Sequence, residues 1–376
     1  MRVLHVMECT IGGTRRHLVD VARGQRRRGL DVHVVASTLR DPDFPADLDA
    51  LEAEGVGVTR LDMLREVTPS VDRKHLSQIK SILREVRPDI VHTHSSKAGV
   101  LGRQASQSTR IGKRVHSPHT FAFLFKALFS WPKRLVYQAV EGHFSYRSGA
   151  IIAVSESEAA SFRGTWAVPS KRIRVVPNGI DPAPFAGAAA LDLTELGLDP
   201  SRPTALMVGL IYAAKGQDLA LEALAQPGME DLQLVCAGPG DLTEVEAQVQ
   251  RLGLADRVRF LGARRDVPQL LAACDFLALP SRWEGMPYVV LEAMAAGKPV
   301  LATPVNGAVD AIADPKTGIL CEAIDADSVA AGMRRMLAAG ADGRAAMGVQ
   351  AAAALEGRYT IPAMLDGLQA VYEELL

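Results

Sequence analysis

The feature that most constrains the fold is an alternation of short apolar runs with longer amphipathic segments, which occurs twice along the chain. The first series opens with the apolar run Arg2–Met7, passes through a Gly-rich loop at 11–14 and a helical pattern at 17–28, and reaches a strand-like run at 31–37. A strand, a helix and a second strand in this order form a βαβ unit, whose two strands are parallel. The sequence therefore predicts an α/β fold built on parallel sheets.

Both series continue in the same manner. The first is completed by further predicted elements, a helix at 74–86 and strands at 89–92, 113–116, 150–154 and 172–176. The second has strands at 204–208, 232–237, 257–261, 276–279, 299–302 and 318–321, and helices at 217–225, 243–252, 266–273, 287–296 and 306–312. Residues 183–203, rich in Pro, Ala and Gly, interrupt the alternation. We therefore expect an N-terminal domain at 1–182, a linker at 183–203 and a C-terminal domain at 204–360, with polar ligands in a cleft between the domains.

Composition narrows the class of protein. With 48% hydrophobic and 23% charged residues, the chain is typical of a soluble globular protein rather than a disordered one. No apolar run approaches the roughly 18 residues of a membrane span, and Glu8 interrupts the first run too early for a signal peptide. The cysteines lie far apart without metal-type spacing, at Cys9, Cys236, Cys274 and Cys321. Free thiols and a cytoplasmic location are therefore expected.

The net charge of −1 conceals an asymmetry between the two halves. Residues 1–182 hold 28 Lys and Arg against 18 Asp and Glu, whereas residues 183–376 hold 14 against 25. An acidic half is a poor nucleic-acid binder, so no nucleic acid is expected, and a basic half suits an anionic lipid surface. Chance and ordinary solvated surface would explain the same counts, so the charge alone leaves both interpretations open.

The strongest local feature is the segment 281–299, in which a predicted strand runs into a Pro-Ser loop and a helix begins at Pro287. Amides of the first helical turn lack intrahelical partners and form an anion site. Here they belong to Tyr288, Val289 and Val290. Glu284 precedes this turn, and Glu292 lies about 12 Å further along and roughly 80° around the helix. The two carboxylates could hold two parts of one ligand whose diphosphate meets the helix; a cap-region acid and a surface acid are the alternative.

This segment, read as E-G-M-P-x-x-x-L-E-A-M-A-A-G-K-P-V from Glu284, resembles the E-x7-E signature of retaining family-four glycosyltransferases with the GT-B fold. Motifs along nearly the whole chain share the resemblance: Gly12-Gly13, 88–94, 96–99, Pro118-His119, 153–156, 176–181, Lys215-Gly216, 237–240 and 260–262. The resemblance implies two Rossmann-like domains that face each other across a cleft. It also implies a C-terminal helix at 361–376 that crosses back to the N-terminal domain.

The resemblance also implies a set of donor-binding residues. Glu284 would bind hydroxyls of the donor sugar, Glu292 would bind the ribose, and Lys215 would add positive charge to the diphosphate. The glycines of the first loop would let the backbone pass close to the donor phosphates. The implied donor set is Gly12, Gly13, Leu210, Lys215, Gly238, Arg264, Glu284, Gly285, Met286, Pro287, Tyr288, Val289, Val290 and Glu292. Lys215 and Glu284 are also counted as catalytic, together with His119 near the anomeric carbon.

One position departs from the family pattern. The family often has Arg five residues before the Lys215 position, and here that residue is Leu210. Arg264, Arg265 or a basic residue of the N-terminal domain could supply the missing charge. The acceptor-binding residues that the resemblance implies lie in the N-terminal domain; they are Thr14, Arg16, His17, His94, Lys97, His119 and Phe121.

Four histidines fall within 28 residues, at His92, His94, His116 and His119. They follow or end different predicted strands, so they could converge, and a zinc site needs three or four such ligands. Ordinary polar roles, with catalysis by His119, are the preferred interpretation, and neither a metal nor another cofactor is expected. A dinucleotide site is weakly indicated by Gly238-Pro-Gly240, which lacks the third glycine of that fingerprint.

The segment 120–140 combines aromatic and basic side chains: Phe121, Phe123, Phe125, Phe129, Trp131 and Tyr137 beside Lys126, Lys133 and Arg134. This combination suits a segment lying on an anionic membrane. A core helix that also lines the active site is the alternative. We hypothesise peripheral membrane contact through this segment and through the basic face formed by Arg23, Arg26, Arg27 and Arg28.

The sequence therefore predicts a cytoplasmic, metal-independent, retaining hexosyltransferase, at the inner face of the plasma membrane if the hypothesised contact holds. It would transfer a sugar from a nucleotide diphosphate donor, with UDP favoured, to a saccharide or lipid-linked hydroxyl in exopolysaccharide or glycolipid synthesis. A GDP-mannose-type mannosyltransferase, a GT-B epimerase or phosphorylase, and a non-catalytic nucleotide-sugar-binding subunit are the alternatives. A nicotinamide dehydrogenase is disfavoured because neither Gly loop carries the required fingerprint.

Overall fold

The structure is a computed structural model that describes residues 1–125 and 129–376. The chain forms two compact units: the first comprises 1–178 and 361–376, and the second comprises 179–360. The residues predicted as a linker at 183–203 belong to the second unit. There the amide of Leu191 donates to the carbonyl of Gln269 at 3.2 Å, and Phe185 is buried. This stretch is therefore packed against its unit, and the boundary lies four residues before the predicted one.

Within the described residues, the first unit contains a seven-stranded sheet in the order β3-β2-β1-β4-β5-β6-β7. Every strand pair in it is parallel. The strands are β1 (Arg2–Met7), β2 (Asp31–Ala36), β3 (Gly57–Arg60), β4 (Ile90–His94), β5 (Lys113–Ser117), β6 (Ala150–Ala153) and β7 (Ile173–Val175). The α/β class predicted from the alternation is confirmed for this unit.

Helices cover both faces of this sheet. They are α1 (Gly12–Arg27), α2 (Phe44–Ala53), α3 (Pro69–Val86), α4 (Ser96–Thr109), α5 (Trp131–Ser145), α6 (Glu156–Arg163) and, from the end of the chain, α14 (Ile361–Leu375). One face packs on α1 and α14 through side chains that include Leu18 and Leu368, and the other packs on α3 and α4 through Ile79 and Leu101. Burial of both faces is the usual state of a parallel sheet. The last helix thus completes the core of the first unit, where the resemblance implies it.

Helix α1 begins at Gly12, five residues before the predicted start at 17. The loop predicted at 11–14 is therefore largely the first helical turn. Gly12 has a φ of 53°, and the Thr14 hydroxyl donates to the carbonyl of Cys9 at 2.6 Å, which ties the turn to the end of β1. Gly and Thr are poor residues for a helix interior but suit its first turn, so pattern alone placed the start too late.

The second unit repeats the architecture with six parallel strands, as far as the structure describes it, in the order β10-β9-β8-β11-β12-β13. The strands are β8 (Thr204–Val208), β9 (Gln233–Ala237), β10 (Val258–Phe260), β11 (Phe276–Leu279), β12 (Val300–Ala302) and β13 (Gly318–Leu320). The helices are α7 (Gln217–Leu224), α8 (Thr243–Leu252), α9 (Val267–Ala273), α10 (Tyr288–Ala295), α11 (Ala308–Ala311), α12 (Ala326–Ala338) and α13 (Gly340–Leu355). Both units are therefore Rossmann-like. Among the described helices, none is both long and apolar enough to cross a membrane.

Candidate functional site

The strand order of each sheet reverses at one place. In the first unit the chain moves outward from β1 to β3 and then returns to start β4 on the other side of β1. In the second unit it moves from β8 to β10 and returns to start β11 beside β8. Loops diverge at such a switch point and leave a crevice at the carboxyl ends of the strands, where α/β proteins bind ligands. Most of the predicted site residues lie after these four strands.

In the second unit, the loops after β8 and β11 bring a lysine and a glutamate together. Nζ of Lys215 lies 2.6 Å from Oε1 of Glu284, and the hydroxyl of Ser281 donates to the same oxygen at 2.8 Å. Both charged side chains are largely buried. Burial alone would lower the pKa of Lys215, but the Glu284 carboxylate outweighs it and raises that pKa above its ordinary value. The site thus holds an ammonium that the neighbouring carboxylate stabilises in its charged form.

Two loops can approach this closely because Gly216 follows Lys215. Gly216 has a φ of 70°, and a Cβ there would lie 2.0 Å from the carbonyl oxygen of Pro280 in the other loop. The neighbouring loops after β8 and β9 meet in the same way, since a Cβ on Gly238 would lie 1.8 Å from the carbonyl oxygen of Gly209. Glycine at these positions is therefore what allows the loops to pack at van der Waals distance.

Replacing Gly216 with alanine is expected to lower the free energy of unfolding by about 2–4 kcal/mol, combining left-handed strain with the clash against Pro280. Gly253→Ala is the matched control: Gly253 has nearly the same backbone angles, φ 69° and ψ 32° against 70° and 31°, but nothing lies within 4 Å of its Cβ position. It should cost only about 1 kcal/mol of strain. Urea unfolding of both variants measures the difference, and equal losses would show that loop contact is unimportant.

The helix that follows the Glu284 loop begins one residue later than predicted. Pro287 is the N-cap of α10, with extended backbone angles, and Tyr288 is the first helical residue. The amide of Val290 donates to the carbonyl of Pro287 at 3.1 Å, so it would have to give up or share this bond to hold a diphosphate. Glu292 lies on the second turn of the helix and is partly exposed.

The other predicted donor residues lie around the same loops. The carbonyl of Leu210 accepts from Nε2 of Gln217 at 3.1 Å. Gly285 and Met286 pack against Gly307, whose Cβ would lie 2.6 Å from the carbonyl oxygen of Gly285. Arg264, one of the residues that could replace the missing family Arg, instead forms a bidentate ion pair with Asp266. Its Nε lies 2.8 Å from Oδ1 and its Nη2 lies 2.5 Å from Oδ2. That pairing reduces the charge Arg264 can offer to a phosphate.

In the first unit, a chain of buried histidines runs along the switch point. Nε2 of His5 lies 2.8 Å from Oε1 of Gln25, and Nδ1 of His5 lies 3.0 Å from Nε2 of His94. Nδ1 of His94 in turn lies 3.2 Å from Nε2 of His119. His92 stacks on His94 with ring centroids 4.3 Å apart. The four rings therefore form one hydrogen-bonded and stacked group.

Strand register explains which histidines converge. His5 on β1 pairs with His92 on β4, and side chains two residues apart on a strand share a face, so His94 joins them. His116 pairs with Thr93, which points to the opposite face, and its Nδ1 lies 3.1 Å from the Thr93 carbonyl oxygen. The cluster suggested by sequence is therefore only partly formed: His92, His94 and His119 are together, and His116 is separate.

His17 on α1 joins the group from the other side. Its ring centroid lies 4.7 Å from that of His119, and its Nδ1 lies 3.1 Å from Oδ1 of Asn178. Burial lowers the pKa of His5 to about 4 and that of His119 to about 3, and lowers those of His17, His92 and His94 well below the ordinary value. The rings are therefore neutral at physiological pH and can accept or donate hydrogen bonds.

The loop that carries His119 is held in a strained conformation. His119 and Thr120 have φ values of 50° and 80°, each of which costs about 1–3 kcal/mol for a residue other than glycine. The carboxylate of the fully buried Glu158 accepts from the Thr120 hydroxyl at 3.0 Å and from the amide of Val154 at 2.7 Å. Glu158 therefore anchors the loop to the start of α6.

The stability of the protein should depend on the protonation of Glu158. Burial raises its pKa to about 7, against the opposing hydrogen bonds from Val154 and Thr120. The folded state then binds this proton more tightly than the unfolded state, so its stabilising effect is present at pH 5 and lost as the pH rises through 7. We expect the unfolding free energy of the wild type, relative to Glu158→Gln, to fall by roughly 2–3 kcal/mol between pH 5 and pH 8. Urea unfolding at the two pH values measures it, and a pH-independent difference would contradict the shift.

The remaining predicted acceptor residues are engaged within the first unit. Nζ of Lys97 lies 2.6 Å from a carboxylate oxygen of Asp72, and Nε of Arg16 lies 3.5 Å from one of Asp20. Thr14 lies in the first turn of α1, next to Gly13 of the predicted donor set. Phe121 is buried in a hydrophobic cluster with Phe123 and Phe162, and its contact with the acceptor stays a prediction. The first two rings of the aromatic run, Phe121 and Phe123, therefore pack in the hydrophobic core, which the sequence pattern alone did not establish.

The aromatic and basic segment at 120–140 is thus divided. Lys126 lies outside the described residues. Beyond it, α5 exposes an apolar stripe made of Trp131, Leu135, Val136 and Val140, with Trp131 74% exposed. Of the predicted basic face on α1, Arg23 and Arg27 pair with Glu54, and Arg28 pairs with Asp366. Two carboxylates therefore offset only part of the positive charge of that four-arginine face, whereas the α5 stripe remains exposed.

Several residues of these sites were not found by sequence reasoning: His5, Gln25, Ser281, Glu158, Asn178 and Tyr372. Tyr372, on α14, places its hydroxyl 2.6 Å from Nδ1 of His92 and accepts from Nε2 of Gln25 at 3.2 Å. A usable signal existed for His5, since it lies on the first strand of a βαβ unit, whose switch point adjoins His92. Ser281 lies in the segment 281–299, only three residues from Glu284. Gln25, Glu158, Asn178 and Tyr372 depend on contacts with residues 20 or more positions away.

Comparison with known proteins identifies the family. The family Glycosyltransferase Family 4 matches residues 11–184, and Glycosyl transferases group 1 matches residues 192–353. HepE of Anabaena, solved with UDP and glucose, superposes with a TM-score of 0.82 at 23% identity, covering 100% of both chains. Sucrose-phosphate synthase of Thermosynechococcus elongatus gives 0.85 at 21% identity, covering 100% of this chain and 99% of its own.

Two relatives are more similar in sequence. An Escherichia coli UDP-Gal:alpha-D-GlcNAc-diphosphoundecaprenol alpha-1,3-galactosyltransferase is 33% identical over 276 residues, 71% of this chain and 70% of the relative. A D-inositol 3-phosphate glycosyltransferase of Segniliparus rotundus is 30% identical over 388 residues, 97% and 85% of the respective chains. With two Rossmann-like units and these matches across both, the chain belongs to glycosyltransferase family 4 and is a glycosyltransferase of the GT-B fold class.

Proposed function

We propose that this glycosyltransferase transfers a hexose from a UDP-sugar to a hydroxyl of a lipid-linked acceptor, with retention of the anomeric configuration. The observation that carries the proposal is the buried pair formed by Lys215 and Glu284 beside the N-terminus of α10, which offers a cation and a hydroxyl-binding carboxylate at one switch point. The E. coli relative, by its name, uses UDP-galactose and a diphosphoundecaprenol-linked acceptor. That relative supports both the uridine nucleotide and the lipid carrier.

The two charged groups would act on different parts of the donor. The ammonium of Lys215 would lie against the diphosphate, whose negative charge grows as the glycosidic bond breaks. The carboxylate of Glu284 would accept from sugar hydroxyls, after exchanging its bond with Lys215 for them. Glu292 would bind the ribose hydroxyls, and the first turn of α10 would face the diphosphate.

Retention follows if the acceptor attacks on the face from which the diphosphate leaves. The leaving phosphate oxygen would take the acceptor proton, so no paired base and nucleophile of the glycosidase type is required. The acceptor would bind the first unit near His119, whose neutral ring can accept a hydrogen bond from an acceptor hydroxyl. No metal or other cofactor takes part in this scheme.

A ligand screen tests the donor. UDP-, GDP- and ADP-sugars are added separately to the purified protein, and the melting temperature is measured, because a ligand that binds only the folded state must stabilise it. We expect the largest rise with a UDP-sugar. A larger rise with GDP-mannose would replace the uridine assignment with the mannosyltransferase alternative.

Product analysis then separates transfer from the other reactions. With donor and a lipid-linked acceptor, we expect one new glycosidic product whose anomeric configuration, read by NMR, matches the donor. Glu284→Ala should form it about 10²–10³-fold more slowly. Conversion of the donor without acceptor would indicate an epimerase. Stabilisation by a UDP-sugar without turnover across a panel of acceptors would indicate a binding subunit.

We further propose that α5 contacts an anionic membrane surface. Its exposed stripe, from Trp131 to Val140, has the amphipathic aromatic residue that favours lipid interfaces, and Lys133 and Arg147 are exposed beside it. Basic side chains around an apolar stripe match the charge of anionic lipids. A lipid-linked acceptor would then be reached at the surface where it resides.

Liposome flotation tests this contact. The double substitution of Trp131 and Leu135 with serine should reduce flotation with anionic liposomes about tenfold, with little flotation on neutral ones. Val349→Ser is the matched control, because Val349 is 65% exposed on α13 in the acidic half of the chain. Unchanged flotation of the double variant would refute the α5 contact.

A further inference from the structure

Three imidazoles of the first unit converge on one point. One ring nitrogen from each of His17, His94 and His119 lies within 4.8 Å of the other two. The three side chains come from different elements: α1, the end of β4 and the strained loop after β5. We propose that these three histidines bind a divalent transition-metal ion of the zinc type.

The ring nitrogens of a second set, His5, His92 and His94, also lie within 4.8 Å of one another, but they are engaged in other contacts. Both ring nitrogens of His92 have partners, the Tyr372 hydroxyl at 2.6 Å and the Ser117 hydroxyl at 2.8 Å. Both ring nitrogens of His5 are likewise bonded, to Gln25 and His94. Metal binding at this inner set, His5, His92 and His94, would break several buried hydrogen bonds. That favours the outer set, His17, His94 and His119.

Hydrogen bonds fix the lone pair of His94 toward the site. The Gln25 amide donates from Nε2 to the Tyr372 hydroxyl, which turns its oxygen toward Nε2 of His5. An amide oxygen only accepts, so His5 carries its proton on Nε2 and accepts on Nδ1. His94 then donates from Nε2, which leaves its lone pair on Nδ1, the nitrogen that faces His119 at 3.2 Å.

The orientation of His17 follows the same logic. Its Nδ1 lies 3.1 Å from Oδ1 of Asn178, so this nitrogen carries the proton and the lone pair is on Nε2. Metal-binding histidines usually donate their second N–H to an oxygen or other acceptor that fixes the ring. Asn178 does this for His17, and His5 with Gln25 does it for His94.

The spacing suits a tetrahedral ion. Two imidazole nitrogens bound to one zinc ion at about 2.0–2.1 Å are roughly 3.4 Å apart. The observed separation of 3.2 Å between His94 and His119 is close to this value. Three neutral imidazoles select zinc, copper, nickel or cobalt over magnesium or calcium, which prefer oxygen ligands. Because His119 is partly exposed, an ion can enter from its side.

A metal ion bound at this site would prevent His119 from playing its proposed role in acceptor binding. A ring nitrogen bound to a metal cannot accept a hydrogen bond from an acceptor hydroxyl. Micromolar zinc is therefore expected to inhibit transfer and a chelator to restore it. This consequence rests on the proposed function, whereas metal binding itself does not.

Cobalt titration of the purified full-length protein tests the site without any substrate. We expect one equivalent of Co²⁺ to give the visible absorption of tetrahedral coordination, and equimolar Zn²⁺ to displace it. His119→Ala and His17→Gln should each abolish the absorption. Asn178→Ala should weaken binding about 10–100-fold, as expected when the partner that orients a ligand is lost.

His92→Gln and His143→Gln are the comparison variants. His143 is exposed on α5 and should leave the spectrum unchanged. The His92→Gln variant decides between the two sets. If it keeps the cobalt absorption, the outer set is supported. If His92→Gln loses the absorption while His17→Gln keeps it, the ion belongs to the inner set and the proposal is overturned. No stoichiometric absorption in a wild-type protein with a native circular-dichroism spectrum also overturns it.

Discussion

Replacing Lys215 with alanine is expected to lower kcat by about 10²–10³-fold, the loss typical of removing one preorganised group that stabilises charge in a transition state. Leu210 stands where the family often has an arginine, and Arg264 is committed to Asp266. The ammonium of Lys215 would therefore carry a large share of the stabilisation of the departing diphosphate. The KM for the donor should change much less, since this charge grows mainly in the transition state.

Matched variants make the measurement specific. Lys316→Ala removes an exposed lysine of the same unit and should leave kcat unchanged. Glu284→Ala should lower kcat by a similar factor, and the double variant should lose little more than either single one, because residues that act as a unit are not additive. Steady-state rates with a UDP-sugar and acceptor are measured for the wild type and the four variants. A kcat within threefold of wild type for Lys215→Ala would contradict the proposed role.

Much of the fold could be predicted from the sequence because the alternating pattern reports which residues a parallel sheet must bury. Strand β11 matches its prediction residue for residue, since Phe276–Leu279 is a short apolar run between a helix and a Pro-Ser turn. The start of α1 was missed because Gly12 and Thr14 are read as loop residues by composition alone. The segment 183–203 resembled a linker because packing of Phe185 and Leu191 involves partners that no local pattern shows.

Some of the site residues could likewise be predicted from the sequence, and others could not. Lys215 and Glu284 were identified by resemblance, but their contact joins residues 69 apart and required the switch point between β8 and β11. The histidine network needed the register that pairs His5 with His92, and that register also separates His116 from the others. Gln25 could not be found, because nothing in its helix distinguishes it from a surface glutamine until the neighbouring ring is placed.

A common physical cause connects the two sites. At each switch point the helices that follow neighbouring strands lie on opposite faces, so the loops diverge and backbone and side chains can meet a ligand. In the second unit this places a largely buried cation beside a helix N-terminus. In the first it exposes one edge of a neutral imidazole network. The cation of the second unit suits a phosphate, which is negatively charged. The neutral imidazoles of the first unit suit hydroxyls or a transition metal.

Breaking the buried ion pair between α4 and α5 is expected to have the largest effect on stability. The guanidinium of Arg103, which is fully buried, contacts both carboxylate oxygens of Glu141 at 2.6 and 2.9 Å, and the Ser145 hydroxyl donates to the same carboxylate. Burial alone would raise the pKa of Glu141, but Arg103 lowers it to about 2. Removing either partner leaves a buried charge without compensation, which costs about 3–5 kcal/mol.

Arg103→Met should therefore lower the free energy of unfolding by about 3–5 kcal/mol, and adding Glu141→Leu should recover most of the loss because no charge is left buried. Arg174→Met, which breaks the exposed pair with Glu374, should cost less than about 1 kcal/mol. Urea unfolding measures all three. Because Glu141 lies on the face of α5 opposite its exposed stripe, Arg103→Met should also loosen the helix proposed to contact lipid. A loss below about 1 kcal/mol would show that α5 is held by its apolar contacts alone.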